Sequence, residues 1–167
     1  MINRELVEIV EVDWRQGTIM LCARVLLSAI FLVSAFSRVM DWDGSVLFLI
    51  SHGMGSFAAP MCLLSLGFEL FCGMSLLLGF KTRIGAYAGV VFLLAVAVTG
   101  HIFQLYSSEA YALQLSMFMK DLAIMGGLMM VSCFGAGPLS VDDANERIET
   151  IASLQKVSEQ EMRAASL

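Results

Sequence analysis

Long apolar runs separated by short polar breaks occupy the chain from Thr18 to Leu139. A helix of about 20 residues bridges a hydrocarbon core of about 30 Å, and the pattern predicts spans over residues 18–40, 58–80, 84–103 and 117–139. The expected fold class is all-α, an integral membrane four-helix bundle. Between the first two spans, DWDGSVLFLISHGMGSF contains an apolar piece too short to cross. Residues 45–51 are expected to form a short re-entrant or interfacial helix on the outer side, with Trp42 at headgroup depth. After Pro138 the pattern changes: Ser140 followed by Asp143 makes a capping box, and Val141, Ala144, Ile148, Ile151 and Leu154 recur at helical spacing. An amphipathic helix on the cytoplasmic side is predicted there. At the other end, Leu6, Ile9 and Val10 share a face ahead of Trp14. That acidic segment lacks the basic start and apolar core of a removable signal peptide and is expected to lie on the inner interface. Three parts result: an N-terminal segment at 1–17, a membrane domain at 18–139 and a C-terminal helix at 140–167.

Composition agrees with the pattern. The 167 residues are 58% hydrophobic and 15% charged, with a mean hydropathy of +0.79, whereas soluble domains carry about a quarter charged residues. The net charge of −5 comes largely from the two ends, and neither end offers the basic patch of a nucleic-acid footprint. Arg4, Arg15, Lys81, Arg83, Arg147, Lys156 and Arg163 fall on one side of an up-down-up-down bundle, and Arg38 and Lys120 on the other. Basic flanks mark the cytoplasmic side, so both ends are expected inside the cell. Cys22, Cys62, Cys72 and Cys133 form no CxxC pair and read as buried small hydrophobes rather than disulfide or zinc ligands. Gly85 with Gly89, and Gly126 with Gly127, suit close helix contact in lipid.

An ionisable group at bilayer depth costs about 2.5–3.5 kcal/mol or more and needs a partner or a polar cavity. Glu69 is the deepest, about 18 Å from Lys81 along its helix, and Ser65, Glu69 and Gly73 share a face. Arg24 shares a face with Ser28, Phe31 and Ala35. Two readings stand for Arg24 and Glu69: an ion pair that sets helix register, or a pair that binds a polar ligand group. Arg38, Asp41, Asp43, His52, His101, Gln104, Lys120 and Asp121 gather toward the outer ends of the predicted spans. Here His101 either hydrogen-bonds a neighbouring helix or accepts a proton from a lipid-soluble redox ligand such as a quinol. Metal and haem ligation have thin support, because the two histidines lie on different segments.

The runs ARVLLSAIFLVSAFSRVMDWDG, SHG, LGFELFCGMSLLLGFKTRIGA, MFMKDLAIMGGLMM and FGAGPLS resemble the DoxX family of small bacterial four-span membrane proteins. By that resemblance Arg24 opens the first span, and Asp41 with Trp42 is the acidic-aromatic step after it. Glu69 and Gly73 form the glutamate-glycine pattern, Lys81 to Arg83 the basic inner turn, and Lys120 the lysine opening the fourth span. Arg38 stands where the family has lysine, and Asp121 where it has asparagine. The resemblance implies association with membrane electron-transfer or thiol and oxidative-stress complexes. Relatives that act on thiols carry paired cysteines, which this chain lacks.

The leading expectation is an accessory, non-catalytic inner-membrane subunit of a larger respiratory or other electron-transfer complex, with the lipid bilayer and other membrane subunits as partners. The first alternative is a quinone- or lipid-binding component using Glu69, His101, Lys120, Asp121 and Gln104. Apart from any ligand, Arg24 and Glu69 are expected as a structural ion pair, and Arg38, Asp41, Trp42 and His52 as the outer interface. The second is small-solute transport by an oligomer.

Overall fold

The computed structural model describes residues 14–98 and 111–165. Their helices run in the order α1 (Trp14–Met40), α2 (Trp42–Leu49), α3 (Ala58–Leu78), α4 (Thr82–Val96), α5 (Tyr111–Phe134) and α6 (Val141–Ala165). The polypeptide between α2 and α3 passes through a π-turn at Ile50–Met54 and a 3-10 turn at Gly55–Phe57. The expected all-α membrane bundle is observed. By length and apolarity α1, the stretch Trp42–Leu78 and α5 can each cross a bilayer, and α4 is apolar but shorter within the described residues.

Helix ends follow local chemistry. Asp41 caps α2 by accepting from the Gly44 amide at 3.1 Å, so the short helix begins at Trp42, three residues before the expected one. Gly79 ends α3 in the left-handed region at φ 68°, the usual role of glycine one residue past a helix. Buried Ser75 then donates to the Phe80 carbonyl at 2.8 Å and stitches the turn. At the end of α5, Gly135 and Gly137 take φ 83° and 70° ahead of Pro138. The helix therefore stops at Phe134, five residues short of the expected span.

Successive long helices pack antiparallel: α1 on α3, α3 on α4, and α4 on α5. The core holds Phe31, Cys72, Leu76, Ala86, Leu93, Met125 and Leu128. Glycines set the closest approaches. A Cβ on Gly73 would strike the Leu32 side chain of α1 at 2.7 Å, and one on Gly89 would meet Leu128 of α5 at 3.0 Å. Gly127 faces Leu27, while Gly126 faces open space and takes no part in packing. The cysteines divide against expectation: Cys62 and Cys72 are buried, but Cys22 and Cys133 lie on the outer surface. In a membrane that surface is apolar, so a small thiol does not need burial in protein.

The end of the bundle formed by the α3 to α4 turn is here called basal, and the α2 end apical. At the basal end, α4 begins at Lys81 with no side-chain cap of its own, leaving amide donors without intrahelical partners. Asp142, from the first turn of α6, supplies the acceptors: its carboxylate receives the Lys81 amide at 2.7 Å, the Thr82 amide at 2.9 Å and the Thr82 hydroxyl at 2.9 Å. Its own amide donates to the Gly79 carbonyl at 2.9 Å. Beside it, Arg24 is 2% exposed and donates through Nη2 to the Leu139 carbonyl at 2.8 Å. Its Nε and Nη1 have no hydrogen-bond partner among the described residues, and its charge lies in the field of Asp142. The Ser140 hydroxyl caps α6 by accepting from the Asp143 amide at 3.1 Å. The reciprocal half of the expected capping box is replaced, because the Asp143 carboxylate pairs with Arg147 at 2.8 Å.

Burial pushes the Asp142 carboxyl up, but the Thr82 and Lys81 hydrogen bonds and the Arg24 charge outweigh it and hold the group below the usual carboxylate range. The folded value therefore lies under the unfolded value of about 3.9. The contribution to stability is present above that unfolded value and is lost as pH falls through the folded one. Asp142→Ala should lower stability by about 1–2 kcal/mol, as loss of a helix cap does. Thermal unfolding in detergent across pH 3 to 7 should show the wild type converging on the variant at the acid end.

Candidate functional site

Glu69 faces α1 and is 2% exposed. Arg38 grips it with two bonds, Nη2 to Oε1 at 2.9 Å and Nε to Oε2 at 3.2 Å. The Ser34 hydroxyl, one turn earlier on α1, donates to Oε1 at 2.9 Å. The fork of a guanidinium matches a carboxylate in this way. The expected pairing of Glu69 with Arg24 is thus corrected. Antiparallel packing sets Arg24 beside Gly79 and Ser34 beside Glu69, so the carboxylate lies ten residues, about 15 Å, up the bundle from Arg24. Arg38 is the cation at its level.

The pair sits at the edge of a cavity of about 660 Å³ between α1, α2, α3 and α4, within the about 300–1,000 Å³ typical of small-molecule sites. Its walls are mostly apolar: Phe48 and Leu49 of α2, Met61, Leu64 and Phe68 of α3, and Phe92, Ala95 and Val96 of α4. Phe68 and Phe92 stack with ring centroids 6.0 Å apart and planes 10° apart. Polar lining comes from Ser34, Ser37 and Arg38 of α1, Ser45 of α2 and Ser65 of α3. Glu69 lies behind Arg38: their side chains are 3% and 22% exposed respectively. Leu64 and Phe48 are 60% and 55% exposed, so the cavity opens sideways, toward where acyl chains run.

The other expected site residues scatter. His101 and Gln104 lie outside the described residues, as do Leu6, Ile9, Val10 and Tyr106. Lys120 is exposed and Asp121 buried on α5, and neither lines the cavity. Asp41 is engaged as the α2 cap, and Trp42 is half-buried beside it. The His52 ring packs on Phe48 at 4.1 Å between centroids, with Nδ1 2.7 Å from the Phe48 carbonyl. No group of three or more His, Cys, Asp or Glu comes together for a metal among the described residues. Ser34 and Ser37 of α1 carry no role in the sequence reading, although with Arg38 they recur at helical spacing inside an apolar run and mark a polar stripe.

Residues 19–102 match the model of the DoxX family. The inner membrane protein YqjF of Escherichia coli (strain K12) is 30% identical over 122 residues, covering 73% of this chain and 88% of that protein. The chain belongs to the DoxX family. The inner membrane protein YphA of the same organism is 28% identical over 128 residues, covering 74% of this DoxX chain and 88% of YphA. No solved structure matches it at a significant level. Family and fold together make this DoxX protein an integral membrane protein.

Removing one member of a buried ion pair strands the other's charge and costs about 3–5 kcal/mol, whereas replacing both with apolar groups costs far less. Glu69→Met and Arg38→Met should each destabilise strongly, and the double variant should recover most of the loss. Unfolding titrations in mixed micelles measure the coupling.

Proposed function

We propose that this DoxX protein takes an amphiphile, a quinone or a bilayer lipid, from the membrane plane into the cavity beside Arg38. The single observation that carries this reading is the lining of that cavity: mostly hydrocarbon walls, a lateral opening, and the Arg38 guanidinium with Ser37 beside it on α1. Apolar walls hold the tail, and the few polar groups orient the head. The expected ligand set shifts accordingly, from Lys120 and Asp121 to Arg38 and Ser37. Ala95→Trp should fill the cavity without touching the ion pair. Organic extraction of the purified protein, followed by mass spectrometry, should find a stoichiometric amphiphile in the wild type and about tenfold less in the variant. Equal recovery from both would refute the reading.

A second reading, an accessory subunit of a larger membrane complex, rests on α6. This helix leaves Ile148, Val157 and Met162 64%, 51% and 66% exposed, yet Asp142 locks its first turn to the bundle. Basic residues at the basal end support a cytoplasmic side for that helix and for both ends of the chain in this proposal. Its acidic polar face attracts anionic lipid weakly, which favours a protein surface as the occupant. Truncation after Asn145 should leave the bundle folded and shift the complex seen in native gels of mild-detergent extracts to lower mass. An unchanged mobility would sink this reading.

A further inference from the structure

Resting on the reading of the cavity as an amphiphile site, we infer that the site selects an uncharged amphiphile whose head presents carbonyl or ester oxygens, and that Glu69 sets this choice from behind Arg38. The geometry supplies both halves of the selection. Arg38 would by itself draw a carboxylate or phosphate into the membrane. Its two-bonded grip on Glu69 cancels that charge, and a second anion there would confront the buried carboxylate in a medium of low dielectric constant. A cationic head would meet the guanidinium first, because Arg38 lines the cavity and Glu69 does not.

What the cavity still presents is hydrogen-bond donors. A guanidinium has donors beyond those used here. Nε is spent on Glu69, but Nη2 uses one N–H there, and Nη1 has only the Cys62 Sγ at 3.9 Å. One N–H on each terminal nitrogen is left over. The Ser37 hydroxyl lines the same cavity and makes no hydrogen bond of its own among the described residues, whereas Ser34 and Ser65 are turned to Glu69 and to the Cys62 carbonyl. Donors without net charge fit neutral acceptor oxygens, which occur both in glyceride esters and in quinone carbonyls.

Competition of probes for the purified full-length protein, read by native mass spectrometry at pH 9, tests the inference. The probes are monoolein and decylubiquinone as neutral heads, oleate as the anion and oleylamine as the cation. The wild type should retain a neutral probe over oleate and oleylamine by about tenfold or more, and the better neutral probe distinguishes a glyceride from a quinone. Glu69→Gln, which frees the Arg38 charge, should invert the order in favour of oleate. Ser37→Lys adds a cation on the exposed wall and leaves the ion pair intact, so it provides the same test in a variant whose core is untouched; it too should admit oleate. Preference of the wild type for oleate or oleylamine, or exclusion of oleate by Ser37→Lys, would overturn the selection while leaving amphiphile binding in place. Absence of every probe from the wild type would instead refute the amphiphile reading on which it rests.

Discussion

The bidentate pair of Arg38 and Glu69 is the constraint around which the membrane domain is arranged. Either charge alone is costly inside a bilayer, so each must be brought to the other when the helices pack. That requirement sets the register of α1 against α3, with Ser34 and Arg38 at the level of Glu69. Gly73, one turn below Glu69, lets the two helices approach closely enough for the fork to close. The cavity follows from the same arrangement: the pair holds α1 and α3 together, and α2 and α4 supply the remaining walls.

At the basal end the problem is different. Sharp turns free backbone amides and carbonyls near lipid, where leaving them unsatisfied is expensive. Asp142 and Arg24 answer it together, one accepting from the start of α4 and the other donating to the carbonyl of Leu139. Leu139 holds an unusual φ of 65°, which is consistent with its carbonyl being pinned by the buried guanidinium. The first turn of α6 thereby becomes part of the bundle, while the rest of that helix runs free of extensive contact with it. An anchored first turn and exposed apolar side chains such as Ile148 and Met162 suit a helix that presents itself to another surface.

The membrane bundle was legible in the amino-acid sequence because a bilayer demands long apolar runs and forbids unpaired backbone, which leaves few alternatives to helices. The buried face of α1, with Arg24, Ser28, Phe31 and Ala35, was legible for the same reason: helical periodicity places those residues together. So was the need for a partner or a polar cavity at Glu69, with a cation as one of the alternatives. The identity of that cation was not, since periodicity gives the face of a helix and not its axial offset from a neighbour. Arg24 and Arg38 lie on one helix, and only the offset of α1 against α3 decides between them.

Spans, faces and the presence of compensated charge were thus determined by the sequence alone, through properties local to one helix. Tertiary structure decided the partners: Arg38 for Glu69, Asp142 for the start of α4, Leu139 for Arg24. It also decided which polar side chains share a cavity, separating Lys120 and Asp121 from Arg38 and Ser37. The physical reason is that hydrophobic burial in one helix depends on angle around its axis, whereas a hydrogen bond or ion pair depends on distances of a few ångströms between helices. Those distances exist only once glycines, turns and caps have set how the helices meet.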